Sequence, residues 1–363
     1  MLENPISISL CMIVRNEEKT IARCLDSVCD IADEIIIVDT GSTDRTKEIV
    51  ARYTDKIFDF AWIDDFAAAR NYAFSLGTKE YLLWLDADDV ILESDRLKFH
   101  NLKKNLNPSI DVVNMHYLLA FDSSENPTFT LRRNRLVRRG KNFRWKGAVH
   151  EYLEVSGNIM NSDIAIAHKS EEHDSERNLR IYEKRLEQGE EFSPRDLYYF
   201  ANELYDHKQY EKAVEYYEKF LNTEKGWVED NISACGKLAD IYKLLGDSAN
   251  AQAYLYKSFD YDTPRAEFCC RIGFNHLNAG KYQQAIFWYK LASELEKPTN
   301  SWGPKSEACW TYLPHLQLCV CYDRLGMHEL AYKHNEIARD YRPDNPQILH
   351  NKKYLEGVLG LKG

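Results

Sequence analysis

The sequence has no apolar run approaching the 18 or so residues that a membrane-spanning helix needs. It has no basic excess either: 47 Lys and Arg stand against 57 Asp and Glu, a net charge of -10, which argues against a broad nucleic-acid surface. The opening residues, Met1 to Pro5, carry an acid and no basic stretch, so no secretory signal is expected. No CxxC pair occurs among the nine cysteines, and Cys269-Cys270 and Cys319/Cys321 are too close together to act as staples. Reduced thiols and a cytoplasmic location are the expectation.

What is present is an ordinary soluble composition, 44% apolar and 29% charged, spread over 363 residues. That length exceeds what one hydrophobic core serves, so two domains are expected. Residues 6–170 alternate strand and helix signals. Ile6–Val14 and Ile35–Val38 are continuous apolar runs rich in β-branched residues, and Glu17–Asp30 places Ile21, Leu25 and Val28 on one helical face. Ile57–Trp62 and Tyr81–Leu85 are further strand candidates around a helical stretch, Phe66–Leu76. Such alternation predicts a mostly parallel sheet covered by helices. The longer, alternating segments Val112–Phe121 and Phe129–Val137 predict an antiparallel portion.

Beyond about residue 178 the strand signals vanish, and 18 of the 23 tyrosines lie past residue 180. Ala213, Ala251, Ala285 and Ala331 occupy the same place in similar segments, at intervals of 38, 34 and 46 residues. Gly246, Gly280 and Gly326 each stand five residues ahead of one of these alanines. A small residue lets paired helices approach, and glycine turns the chain between them. The pattern resembles about four tetratricopeptide units.

The first half carries the chemistry. Asp39-Thr-Gly-Ser-Thr-Asp44 follows the strand Ile35–Val38, and turns at the carboxyl end of a buried strand are where α/β sheets bind ligands. Asp39 can accept hydrogen bonds from a base or ribose, while Asp44 or Thr43 can cap the next helix. Asp86-Ala-Asp88-Asp89 closes the strand Tyr81–Leu85. Carboxylates crowded at a strand end repel one another unless a cation neutralises them, and oxygen ligands select Mg2+ or Mn2+. The alternative is a solvated acidic loop with an Asp capping the following helix. Residues 128–146 hold eight basic side chains and no acid, either a solvated hairpin face or a place where one or two arginines meet a diphosphate.

Ile8–Val14 with Arg15-Asn-Glu17, the Asp39–Asp44 turn, and Asp86-Ala-Asp88 come in the order and spacing of family-2 glycosyltransferases of the GT-A fold. Trp62-Ile-Asp-Asp65-Phe-Ala-Ala-Ala-Arg70-Asn71, Arg135-Leu-Val-Arg138-Arg139, Trp145 to Glu151 and His168 extend the resemblance over about residues 6–185. It implies an α/β GT-A catalytic domain, a Rossmann-like mixed sheet with flanking helices, over residues 1–175. An all-α tetratricopeptide domain of about four helix pairs and a C-terminal helix then fills residues 176–363.

It implies transfer of a hexose from a UDP-sugar, UDP-glucose among them, with inversion and with Mg2+ or Mn2+. Donor contacts are implied for Val14, Asn16, Glu17, Asp39, Ser42, Asp44, Arg70, Asp86, Ala87, Asp88 and Arg138. Metal ligation is implied for Asp88 and His168, with Asp86 and His150 as further ligands. Glu151 is the implied general base, a role that suits a carboxylate, and Asp89 is an alternative base or metal ligand.

Enzymes of this kind with such repeats include S-glycosyltransferases that modify cysteine in bacteriocins, and others that act on cell-surface glycans. A peptide or protein acceptor with Ser, Thr or Cys is therefore expected, held with help from the repeats. The alternative is a glycan or lipid-linked saccharide acceptor with the repeats forming a homodimer. A nucleotidyltransferase is disfavoured because Arg15 to Lys19 contains no glycine to grip a triphosphate. A non-catalytic scaffold is disfavoured by the presence of Asp39, Asp86, Asp88 and Glu151.

Overall fold

In a computed structural model, which describes residues 5–121, 127–169, 176–297 and 306–361, the apolar run Ile8–Val14 forms a strand, β1, buried on both faces. The chain divides into two compact units, Met1–Glu191 and Phe192–Gly363. In the first, β1 is followed by α1 (Ile21–Asp26), β2 (Glu34–Asp39), α2 (Thr46–Val50), β3 (Ile57–Asp59) and α3 (Phe66–Leu76). Then come β4 (Tyr81–Trp84), β5 (Asp89–Ile91), α4 (Glu93–Asn105), β6 (Val112–Phe121) and β7 (Pro127–Arg138). The unit ends with β8 (Arg144–Lys146), β9 (Tyr152–Glu154), β10 (Ile159–His168) and α5 (Arg177–Glu187).

Eight strands form one mixed sheet in the order β3-β2-β1-β4-β7-β6-β10-β5, while β8 and β9 pair as a separate ribbon. The expected parallel block is β3-β2-β1-β4, and the alternating segments β6 and β7 pair antiparallel as expected. Side chains along β1 alternate between two cores. Leu10 and Met12 join Ile21, Leu25 and Val28 and Phe99 of α4, whereas Cys11 packs with Ala73 and Phe74 of α3 on the other face. Burial on both faces is why β1 reads as an unbroken apolar run. The helix expected over Glu17–Asp30 is shorter and runs over Ile21–Asp26.

The second unit contains α6 (Pro194–Asp206), α7 (Tyr210–Asn222), α8 (Val228–Leu244), α9 (Ser248–Lys257), α10 (Ala266–Asn278) and α11 (Tyr282–Glu294). It closes with α12 (Tyr312–Arg324), α13 (His328–Tyr341) and α14 (Pro346–Leu359). Ala213, Ala251, Ala285 and Ala331 are all buried in the second helix of a hairpin. Gly246, Gly280 and Gly326 turn the chain at φ +80°, +71° and +74°, a region that favours glycine. The first hairpin uses Lys208 at the same place, at φ +60°. All nine cysteines are free thiols, and Cys29 alone is exposed. Among the described residues no helix is long and apolar enough to cross a membrane.

Candidate active site

Val14 and Asp39 end two neighbouring parallel strands and pair directly, so the loops that follow them meet. Asp39 is 1% exposed. Its carboxylate accepts from the N–H groups of Gly41 at 3.1 Å and Ser42 at 3.0 Å. The Asn16 N–H donates to Ser42 Oγ at 3.0 Å, and Asn16 Oδ1 accepts from the Thr43 N–H at 2.8 Å. Asp44 accepts from the Thr46 N–H and hydroxyl and from the Glu18 N–H, which fastens the start of α2 to the loop after β1. Burial alone raises the Asp44 carboxyl, and the Thr46 and Glu18 donors outweigh it and bring it below the usual range. Val14, Asn16, Glu17, Asp39, Ser42 and Asp44 thus lie in one interlocked pair of loops.

At the carboxyl end of β4, Asp88 and Asp89 are 5% and 0% exposed. Asp89 lies in β5, not at a helix cap, and pairs across the ladder with His168 at the end of β10. His168 Nδ1 is 3.4 Å from Asp88 Oδ1 and 3.6 Å from Asp89 Oδ1. The ligand atoms of Asp88, Asp89 and His168 all lie within 4.8 Å of one another. Asp89 Oδ1 is buried with no hydrogen-bond partner, an acceptor whose desolvation is left uncompensated. Two carboxylates, one of them with an orphan oxygen, and one imidazole fit a small hard divalent cation. The Asp88 and Asp89 carboxylates beside it raise the His168 imidazole to about 10, against the opposing effect of burial. Tyr117 Oη lies 2.9 Å from the same Nδ1.

Beside this trio the side chains stack. The Arg70 guanidinium lies 4.9 Å from the Trp84 ring and 4.8 Å from the Trp145 ring. Arg135 lies on Trp84 at 3.8 Å and on Tyr117 at 4.4 Å. Trp84 and Trp145 also meet edge-to-face at 4.8 Å, so Arg70 lies against a pair of rings while Arg135 lies between Trp84 and Tyr117, contacts that are favourable when desolvated. Each cation has carboxylates of its own. Arg70 Nε donates to Glu151 at 2.5 Å and Nη2 donates to Asp86 at 2.7 Å. Arg135 Nη1 is 2.9 Å from Asp89 Oδ2, an oxygen that also accepts from the Asp86 N–H. Burial pushes the Asp86 carboxyl up, but Arg70 and Arg135 prevail and hold it at about 2. Asn71, next to Arg70, exchanges two hydrogen bonds with the Trp145 backbone, and the Phe66 N–H donates to Ala148. These bonds tie the 145–151 segment, and with it Glu151, to α3.

Four of the residues expected at the donor or the metal have other partners or places. Arg70, expected at the donor phosphates, is 7% exposed and engaged with two carboxylates. Asp86 turns to Arg70 and stands outside the Asp88, Asp89 and His168 trio. His150, half-buried at φ +50°, also stands outside it. Arg138 pairs with Tyr81 at the opposite end of β4, its guanidinium on the Tyr81 hydroxyl, Glu80 and Pro108. Tyr81 is five residues from Asp86, about 16 Å along a strand. The basic residue that does reach the cluster is Arg135. The register of β7 on β4 contains the signal: with Tyr81 opposite Arg138 and Leu83 opposite Leu136, Arg135 arrives beside Trp84. A polar cavity of about 800 Å³ adjoins the loop after β1, with Arg15, Asn16, Trp62, Arg177 and Lys184 in its lining.

Residues 9–150 match the family described as Glycosyl transferase family 2, and residues 232–263 and 266–299 match the tetratricopeptide repeat. The chain therefore carries a family-2 glycosyltransferase domain of GT-A-like fold followed by a tetratricopeptide-type helical domain. It is 50% identical over 88 residues, 24% of its length, to a TPR repeat-containing protein of Synechococcus elongatus, 22% of which is covered. It is 27% identical over 233 residues, 60% of its length, to the SPbeta prophage-derived glycosyltransferase SunS of Bacillus subtilis, of which it covers 54%. It is 28% identical over 167 residues, 43% of its length, to the lipopolysaccharide core biosynthesis glycosyltransferase LpsC of Rhizobium meliloti, of which it covers 60%. The chain thus spans less than two thirds of each of these relatives.

Proposed function

We propose that this chain is a metal-dependent, inverting glycosyltransferase that moves a hexose from a UDP-sugar to a peptide or protein side chain bearing Ser, Thr or Cys. The observation that carries this reading is the Asp88, Asp89 and His168 trio beyond the carboxyl end of β4, close in sequence to Asp86, which Arg70 links to Glu151. A family-2 domain around that site, and a relative named as a glycosyltransferase that matches 60% of the chain, support it. Val14, Asn16, Glu17, Asp39, Ser42 and Asp44 would receive the nucleoside, and Asp86, Ala87 and Asp88 the diphosphate side of the donor.

Asp88, Asp89 and His168 would hold Mg2+ or Mn2+, which when bound offsets the charge of a diphosphate leaving group. Glu151 takes the proton of the acceptor as the acceptor atom bonds to the anomeric carbon. The bond from that carbon to the diphosphate oxygen breaks on the opposite face, and UDP leaves with the electron pair. Arg70 Nε donates to Glu151 and so holds that carboxylate in place. The tetratricopeptide unit would hold the acceptor, since stacked helix pairs present extended concave surfaces. Reduced thiols fit a cytoplasmic enzyme.

The match to LpsC favours one alternative, a saccharide acceptor with the repeats used for homodimerisation. A panel of UDP-sugars with Mn2+ or Mg2+ and a peptide containing Ser, Thr and Cys tests the reading. One UDP-sugar should release UDP slowly alone and faster with peptide, and Asp88→Ala should abolish both. No release and no nucleotide binding under any condition would reject it.

A further inference from the structure

Glu151 and the strand-end aspartates come from distant parts of the chain, yet one guanidinium joins them. Arg70 sits at the fifth position of α3, is 7% exposed, and forks between Asp86 at 2.7 Å and Glu151 at 2.5 Å. Trp84 and Trp145, themselves in edge-to-face contact at 4.8 Å, pack beside it at 4.9 and 4.8 Å, so the guanidinium is held by packing as well as by hydrogen bonds. Trp84 in turn lies against Arg135, which bears on Asp89, and Tyr117 on the far side of Arg135 reaches His168. A continuous chain of contacts therefore runs from Glu151 to Asp89 and His168, and His168 lies 3.4 Å from Asp88.

We propose that Arg70 is a positioning residue: through its fork and its aromatic stack it fixes Glu151 at a set distance from the Asp86–Asp89 strand end, and it contributes no contact to the donor phosphates. The inference rests on the transferase reading. The physical case is that a buried planar guanidinium, with Nε committed to Glu151 and Nη2 to Asp86 and two rings packed beside it, sets the direction and separation of those two carboxylates. A site built on such support is held to a fraction of an ångström, and loosening a group by about 1 Å costs about 100-fold in rate.

Arg70→Lys keeps the charge but cannot fork between two carboxylates in the same plane. Binding of UDP and of uridine, each with Mn2+, is measured by calorimetry on the full chain. Turnover is measured by UDP release in water from whichever of UDP-glucose, UDP-galactose and the UDP-N-acetylhexosamines the wild type cleaves fastest. The expected result is UDP affinity within about threefold of wild type, an unchanged donor KM, and turnover lower by about 100-fold. Adding Glu151→Gln to Arg70→Lys should subtract little more, because both changes act on the same carboxylate.

UDP affinity reduced about tenfold or more with uridine affinity intact would make Arg70 a phosphate ligand and overturn the proposal. Losses from Arg70→Lys and Glu151→Gln that multiply would overturn it as well. Wild-type protein unable to bind UDP rejects the transferase reading itself, and the proposal with it. Should Arg70→Lys fail to fold, Trp145→Phe loosens the stack more gently. It should lower turnover without changing UDP affinity, and unchanged turnover would overturn the proposal.

Discussion

In the first unit the interior holds opposite charges: Arg135 and Asp89 are both 0% exposed and lie 2.9 Å apart. In the second unit the deepest side chains are Tyr217, Phe220, Tyr289 and the alanines of the repeat. Buried charge is stable only when matched, and each match is particular to its neighbours. Repeat packing needs a small residue where helices cross and a ring to fill the space beside it, and the same solution recurs down the array. The difference teaches that the first unit is built around one unrepeated cluster and the second around a spacing. A single change should therefore be felt differently in each.

The largest contrast comes from breaking the buried pair. Arg135→Met leaves Asp89 charged and uncompensated, which costs about 3–5 kcal/mol. Thermal melting should show the first unit unfolding at lower temperature, and an unchanged melting curve would contradict the burial argument.

Glu34 gives a similar effect with a pH signature. Burial tends to raise its carboxyl, but Lys56, Ser9 and Thr78 outweigh burial and hold it at about 2, below its ordinary 4.5. A depressed carboxyl stabilises the fold above pH 4.5, and that stability is lost as pH falls towards 2. Glu34→Gln should cost about 3 kcal/mol at neutral pH, and the difference from wild type should close as pH falls through that window. Urea titrations at several pH values measure it.

The second unit responds to volume. A Cβ on Gly273 would stand 3.0 Å from the Tyr289 ring, so Gly273→Ala should cost about 1–3 kcal/mol by overpacking. Lys208→Gly should do the reverse, since the left-handed turn favours glycine, and should stabilise by about 1 kcal/mol. Helical circular dichroism on denaturation reads both. Arg138→Gln is the smallest expected effect: no change in UDP affinity, because its partners lie at the far end of β4. A clear loss of UDP binding would return Arg138 to the donor site.

Much of this was legible along the chain. Phe66–Leu76 and Val112–Phe121 were readable to the residue from periodicity, and the alanine spacing marked the helix hairpins. Those features are local, set by alternation or by a 3.6-residue period. The positions of Asp39, Asp88 and Asp89 at strand ends were readable for the same reason. The choice among eight basic residues in 128–146 was not, because their roles depend on strand register, and Arg135 and Arg138 fall at opposite ends of β4.

The sequence by itself determined the element types, the two contrasting halves and the carboxylates placed where strands stop. The tertiary structure alone decided that Asp89 faces His168, that Arg70 joins Asp86 to a glutamate 81 residues away, and that Arg135 enters the cluster while Arg138 stays outside. The physical reason is that period and propensity act over a few neighbouring residues. Compensating a buried charge instead requires partners from other strands and helices, which only packing brings within hydrogen-bond distance.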